Sequence, residues 1–457
     1  MTRTSILGLT CAAVLSAMIG CSRRYDPRLE GPVAEDLFSD DTPAPREDVP
    51  ELTAAATEED YVRRAELDSP ELAGAFSRWK ADLQQIPQVT ALPDPKFTYQ
   101  YYIQQVETRV GAQRQAFSIA QKFPWFGKLH LRGDAATQKA NASHQRFRQA
   151  RLKLAREVKD AYAEYYYLDR AIEITEQNAK LLKHIETIAR IRYKTAAANH
   201  PDLIRLQVEM GKLADRISTL KEMRKPLAAR LNAAMNRPVD TPVAALKEPS
   251  GGRVDMAGVD ELLEKNNPEL AELDRRIAAA KIGVELAKKD YWPDVTLGMS
   301  YIDTATSTGG REPHGNGDDP VIATASINLP IWRAKLDAGL RQARFKRQAA
   351  VQTRAARLNS LRARLKLVEF QYLDAQRKIA LYRDTLLPKA RQAVSASDAA
   401  YRSAKGGFQD LIDAQRVLLE FEITLQRAIA DRAQRLAELE MVTGAGPGLQ
   451  TAKGDAP

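Results

Sequence analysis

Cysteine is nearly missing: Cys11 and Cys21 are the only two in 457 residues, which leaves no zinc ribbon, iron–sulfur cluster or disulfide framework. Histidine is also scarce. His130, His144, His184, His200 and His314 show no ligand spacing, so no metal site is assigned. There is no Gly-rich phosphate loop, and no trio of nucleophile, base and orienting group can be assembled, so neither a catalytic residue nor a cofactor is expected. Aromatics, at 7%, argue against a compact aromatic-rich core. Charge of one sign is in mild excess, +9 overall. What remains is 44% apolar and 28% charged residues, a composition that suits a folded, helical, structural protein rather than an enzyme or a disordered tail.

Long apolar runs are missing too, except at the start. Arg3 opens a positive region and Ile6 to Ile19 is an apolar stretch of secretory-signal length, too short for a stable membrane span. It ends in Ser16-Ala17-Met18-Ile19-Gly20-Cys21, which resembles the bacterial lipoprotein cleavage box. That resemblance implies an acyl chain, palmitate included, on Cys21, with Ser22 after it favouring the outer membrane. The alternative is a plain signal cut nearby, with Cys21 an incidental thiol. Residues 1–20 are thus read as a signal peptide and 21–60, rich in Pro, Asp and Glu, as an extended lipidated tether.

Beyond the tether the chain repeats itself. Ser69-Pro70-Glu71-Leu72 answers Asn267-Pro268-Glu269-Leu270, and Leu92-Pro93-Asp94 answers Trp292-Pro293-Asp294. Phe123-Pro124-Trp125-Phe126-Gly127-Lys128 answers Leu329-Pro330-Ile331-Trp332-Arg333-Ala334-Lys335. Tyr193-Lys194 answers Tyr401-Arg402, and Asp202-Leu203-Ile204 answers Asp410-Leu411-Ile412. The offsets grow from 198 through 200 and 206 to 208, so one unit is duplicated rather than arrayed. The first repeat takes in 61–237, with a helix, a β-hairpin at 96–123 and a long helical hairpin at 127–236. A linker at 238–258 follows. The second repeat takes in 259–443, with a hairpin at 294–330 and a long helical hairpin at 331–441, and 444–457 form a tail.

Alternation carries the strands. Phe97, Tyr99, Tyr101 and Ile103 interleave with Thr98, Gln100, Tyr102 and Gln104, while Val295, Leu297, Met299 and Tyr301 interleave with Thr296, Gly298 and Ser300. The lengths match tilted transmembrane strands; half-buried strands of a soluble sheet fit the pattern equally. Two hairpins cannot close a barrel and lipid forbids open edges, so a membrane reading requires several copies. Each strand pair ends at a proline that opens a helix. No proline follows from Gly127 to about Ala197, and only Pro388 between Ile331 and about Lys405; seventy helical residues would extend roughly 100 Å. An ordinary antiparallel coiled coil fits the same apolar stripes. The basic stretch at Arg341, Arg344, Lys346, Arg347, Arg354, Arg357, Arg362, Arg364 and Lys366 recurs at all helical angles, so it reads as a solvated helix surface and not a nucleic-acid site.

The duplication, the strand-to-helix bends at Pro124, Gly127 and Pro330, and the paired Tyr-x8-Asp-Leu-Ile turns resemble the TolC-type outer-membrane efflux proteins over about residues 60 to 443. The resemblance implies a mainly α fold with a small membrane β portion: a homotrimer whose long helical hairpins form a hollow α-barrel and whose strands share a twelve-stranded β-barrel. It further implies a passive exit duct in the outer membrane, extending into the periplasm and lipid-anchored at Cys21, that docks a periplasmic adaptor (membrane fusion protein) and an inner-membrane pump of the RND type. By the same motifs Asp410 and Asp413 are candidates for an acidic gate ring. Tyr401, Asp202, Tyr193 and Arg402 are candidates for gate hydrogen bonds and ion pairs, and Tyr401→Phe is expected to raise conductance. Asp202 and Asp410 also read as simple helix caps. Gly406 departs from the family pattern, which has an arginine four residues before Asp410. A periplasmic adaptor lipoprotein and a pore-free envelope coiled-coil scaffold are the alternatives.

Overall fold

A computed structural model describes residues 52–53, 55–194, 200–252, 254–307, 314–403 and 405–445. The leader, Cys21, most of the tether and nearly all of the tail lie outside the described residues. In chain order the elements are α1 (Glu58–Asp68), α2 (Pro70–Thr90), β1 (Lys96–Thr108), β2 (Gly111–Phe123), α3 (Lys128–Lys194), α4 (His200–Glu222), α5 (Arg224–Ala234), α6 (Val259–Asn266), α7 (Pro268–Lys289), β3 (Val295–Thr304), β4 (Val321–Ile327), α8 (Arg333–Leu381), a π-helical turn (Tyr382–Leu386), α9 (Leu387–Arg402) and α10 (Phe408–Thr443). Two compact units emerge: a strand unit made of Arg78–His144 and Glu272–Arg354, and a helical unit whose described part is 55–77, Gln145–Ala271 and 355–445.

In the strand unit one antiparallel sheet has the order β1-β2-β3-β4, so the two hairpins join through β2 and β3 and leave β1 and β4 as edges. The register places Phe97 opposite Ile119, Ile119 opposite Met299 and Met299 opposite Ala323. Directly paired residues share a face. One face therefore carries Phe97, Tyr99, Tyr101, Phe117, Ile119, Leu297, Met299, Tyr301, Val321 and Ile327, and the other carries Thr98, Gln100, Ser118, Thr296, Gly298, Ser300, Thr324 and Ser326. Aromatic rings run across three strands of the apolar face, with Phe117 5.2 Å from Tyr99 and 6.5 Å from Tyr301. Much of this face lies open in the single chain: Phe97 is 65% and Tyr101 66% exposed. The β1–β2 turn needs glycine at 111, where φ is +132° and an added Cβ would lie 1.5 Å from the Ala305 carbonyl oxygen.

In the helical unit the duplicated caps act alike. The Ser69 hydroxyl accepts the Leu72 N–H at 3.3 Å, and the Asn267 carboxamide oxygen accepts those of Glu269 and Leu270 at 2.9 and 3.0 Å. In both cases proline follows at the first helical position, where no donor is lost. Asn267 also donates to the Val442 carbonyl at 2.7 Å, fastening the start of α7 to the end of α10. Apolar clusters hold the helices together. In the one nearest the hairpin tips, Leu182, Ile185 and Ala189 of α3 meet Leu206 and Leu213 of α4 and Leu411, Ile412 and Leu419 of α10. Ala163, Ala430 and Ala433 let α3 and α10 approach closely.

The helical rods of the two repeats break in different places. The first rod, α3, is continuous over 67 residues, and its return divides at Met223 into α4 and α5, just before Pro226. The second departs from the unbroken helix that its sequence suggests. After 49 residues α8 gives way to the five-residue π turn, where the Leu387 N–H reaches back to the Tyr382 carbonyl, and α9 then carries Pro388 in its first turn. Proline removes one ladder donor and crowds the preceding turn, and the wider turn absorbs both effects. The return helix α10 then runs unbroken for 36 residues to Gly444, in the left-handed conformation.

The second half of the basic stretch of α8, from Arg354 on, is ion-paired within the chain. Arg357 meets Glu269 at 2.6 Å and Arg364 meets Glu438 at 2.8 Å, Arg354 pairs with Asp274, and Arg362 pairs with Asp260 and Glu264. Among the described residues no helix is long and apolar enough to cross a membrane.

Candidate functional site

Two places gather the residues that the sequence singles out. The first, in the strand unit, is the bend from β2 into α3. Pro124 ends the strand, Gly127 takes φ +85°, and Lys128 begins α3. Lys128 is buried and its ammonium lies 2.8 Å from the Asp294 carboxylate, which also accepts the Trp125 N–H at 3.0 Å and faces Lys122 at 3.0 Å. Lys128 donates in addition to the Trp292 carbonyl at 3.3 Å. The indoles of Trp125 and Trp292 stack at 5.1 Å with their planes 10° apart. Burial alone would raise the Asp294 pKa, but hydrogen bonds from Lys128, the Trp125 amide and Lys122 outweigh it and bring the pKa to about 2. The bend of one repeat is therefore clamped by the residues that precede the first strand of the other. Pro330 ends the corresponding segment of the second repeat, ahead of α8. In the sequence each of these two motifs has its counterpart in the other repeat, 329–335 for one and 92–94 for the other, and that likeness does not reveal that 123–128 and 292–294 touch.

The second place, in the helical unit, is formed by the ends of α3 and α9 and the starts of α4 and α10; residues 195–199 and 404 between them lie outside the described residues. Tyr401 is 4% exposed, with its ring edge-on to Phe408 at 5.7 Å. The Arg192 guanidinium sits over the ring, 4.6 Å from its centroid, and donates to the Tyr401 carbonyl. The Tyr401 hydroxyl is buried without a hydrogen-bond partner among the described residues. Burial pushes its pKa up, Arg192 opposes this, and nearby Asp202 adds to it. Asp202 stands in the first turn of α4, close to Tyr401 but not hydrogen-bonded to its hydroxyl. Tyr193 packs on His200 at 5.7 Å, and Arg402 pairs with Asp398 at 2.9 Å.

Asp410 accepts the Gly407 N–H at 3.2 Å, so it closes the first turn of α10. Asp413 is exposed and meets Arg416 at 3.0 Å, and Arg416 in turn meets Glu209 of α4 at 2.6 Å. Arg205 reaches Gln409 at 3.4 Å. Arg192, Glu209 and Arg416 carry most of the polar contacts between the two hairpin tips, yet no motif marks them: they are ordinary charged positions on long helices. The departure at Gly406 has a steric cause, because an added Cβ would lie 2.8 Å from that of Ala400.

The model of the family described as outer membrane efflux protein matches residues 62–237 and 260–445. Nodulation protein T of Rhizobium leguminosarum bv. trifolii is 21% identical over 330 residues, 70% of this chain and 69% of that protein. The cobalt-zinc-cadmium resistance protein CzcC of Cupriavidus metallidurans is 28% identical over 194 residues, 40% of this chain and 42% of its own length. Among solved structures, the outer membrane protein VceC of Vibrio cholerae superposes with a TM-score of 0.70 at 19% identity, covering 85% of this chain and 96% of VceC. CusC superposes with a TM-score of 0.73 at 14% identity, covering 90% of this chain and all of CusC. With both repeats matched by one family model and the same fold recurring in these channels, the chain belongs to the outer membrane efflux protein family.

Proposed function

We propose that this outer-membrane efflux channel works as a homotrimeric exit duct, with four strands from each copy lodged in lipid and the helical rods reaching into the periplasm. The sheet carries the reading: one face is mainly apolar, the other mainly polar, with hydroxyl, amide, lysine and small side chains, and both edges are unpaired among the described residues. Lipid tolerates a strand only when every backbone group is satisfied, so such a sheet must close with further copies.

In this reading the duct performs no chemistry. Cargo arrives from an energised inner-membrane pump of the RND type through a periplasmic adaptor that docks on the hairpin tips, and Cys21 adds an acyl anchor to the membrane. The tip is the gate: Asp410 and Asp413, repeated in three copies, form acidic rings, and adaptor binding parts the contacts around Tyr401, Asp202, Tyr193 and Arg402. The cobalt-zinc-cadmium resistance named for CzcC and the pyoverdine export named for OpmQ of Pseudomonas putida mark the range of cargo from which this pump would draw.

Purification from outer membranes in detergent tests the reading. A trimer that migrates as one species unheated, dissociates on boiling and gives discrete conductance steps in planar bilayers is expected. A delipidated chain that stays monomeric and water-soluble without detergent would end it. Metabolic labelling with a palmitate analogue, lost in Cys21→Ser, tests the anchor separately.

A further inference from the structure

The two hairpins are related residue by residue, and the relation predicts register. Pro93 answers Pro293 at an offset of 200, and Pro124 answers Pro330 at 206. Adding those offsets to the β1–β2 pairs Lys96↔Ala120, Phe97↔Ile119 and Tyr101↔Gln115 gives Thr296↔Ser326, Leu297↔Ala325 and Tyr301↔Val321, and all three are pairs of β3 with β4. The hairpins thus share one register. The β2–β3 junction between them has no counterpart inside the chain, because β4 and β1 are the free edges.

From this we infer that a second copy of the chain supplies that counterpart, with β4 pairing antiparallel to β1 of the next copy in the register of the β2–β3 junction. The proposal rests on the trimeric reading above and specifies it. Carrying the observed pairs Ala120↔Gly298 and Ile119↔Met299 across by the same offsets sets Ser326 opposite Thr98 of the next copy, and Ala325 opposite its Tyr99. Polar then meets polar on one face and apolar meets apolar on the other, as within the chain. A one-residue slip would invert this.

The clamp at the bend repeats as well. Within the chain Asp294 holds Lys128, and Trp292 stacks on Trp125. By the same offsets Leu92 answers Trp292, Ile331 answers Trp125 and Asp94 answers Asp294, while Lys335 stands one residue beyond Ala334, the position that offset 206 gives for Lys128. Asp94 is exposed, and neither its carboxylate nor the Lys335 ammonium has a hydrogen bond or ion pair among the described residues. Leu92 is 36% and Ile331 64% exposed. Across the junction Asp94 of one copy meets Lys335 of its neighbour, and Leu92 covers Ile331.

Cysteine pairs test the register in the full-length protein in outer membranes. Ser326→Cys with Thr98→Cys is expected to give an oxidant-dependent, reductant-sensitive covalent trimer. Ser326→Cys with Lys96→Cys or Gln100→Cys, displaced by two residues along the same face, stays uncrosslinked, because a disulfide does not bridge Cα atoms more than about 7 Å apart. Single-cysteine variants set the background from Cys21. Asp94→Lys and Lys335→Asp each lower the temperature at which the trimer dissociates on gels, and the two together restore it. Crosslinking through a displaced pair, or a trimer indifferent to both charge reversals, overturns the register while leaving the duct reading intact. A chain that never forms a trimer overturns both.

Discussion

Trp125 and Trp292 lie flat against each other, 5.1 Å apart, while the Trp125 backbone N–H donates to the carboxylate of Asp294 and the Trp292 carbonyl accepts from Lys128. The same two residues thus serve the apolar and the charged part of the clamp. Trp125→Ala forfeits about 1 kcal/mol of ring contact in addition to the area it exposes. Asp294→Ala costs more, about 2 kcal/mol, by stranding the buried Lys128 and the Trp125 amide. Both are expected to lower the trimer dissociation temperature in detergent, with Asp294→Ala the lower of the two.

The clamp also has a pH signature. Asp294, just outside β3, titrates at about 2 when folded against an ordinary value of 3.8. A depressed carboxylate contributes stability that is fully present above the unfolded value and is lost as pH falls through the folded one. Stability is therefore expected to decline between about pH 4 and pH 2, and Asp294→Asn to flatten that part of the profile in thermal melts followed by circular dichroism.

At the hairpin tip the restraint on Tyr401 is the guanidinium of Arg192 and not a bond to the tyrosine hydroxyl. Removing a hydroxyl that has no partner among the described residues costs little. Tyr401→Phe is expected to change stability by less than about 0.5 kcal/mol. Arg192→Ala frees the end of α3 from α9 and is expected to raise the single-channel conductance more than Tyr401→Phe does. Equal conductances in the two variants would place the restraint elsewhere.

Deep in the helical unit Lys159 pairs with Glu440 at 2.6 Å, the two side chains being 9% and 14% exposed, and it also acts on buried Glu58. Burial holds the pKa of both carboxyls up, and Lys159 opposes the rise. Lys159→Met, which leaves the carboxylates unneutralised, is expected to cost about 3 kcal/mol at neutral pH. Raised carboxyl pKa values mean that stability returns as the pH falls through them and the groups protonate. Lys159→Met with Glu440→Leu should recover most of the loss in urea melts.

The fold was legible where periodicity and punctuation agree. Alternation at Phe97 to Ile103 and Val295 to Tyr301, and prolines at 70, 124, 268 and 330, mark the strands and helix starts because local sterics set them. The π turn before Pro388 was not, since a single proline signals a disturbance without saying whether the helix stops, kinks or widens. Asp410, Asp413, Tyr401 and Asp202 were found through paired motifs, and the structure brings Tyr401 and Asp202 near one another. Arg192, Glu209 and Arg416 escaped notice because their partners are supplied by helices some two hundred residues away. Nothing in their own neighbourhood distinguishes them.

Between Lys122 and Arg114 the polar side of the sheet carries Ser118 with small alanines, faced by Thr98, Gln100, Ser300 and Thr324, and its ionised group is Lys96, opposite Ala120. Charge along this side and at both of its ends is therefore positive, with no carboxylate to hold a cation. In the closed wall of the duct reading such a surface would favour anions over cations, so sorting by charge would not be left wholly to the steps upstream.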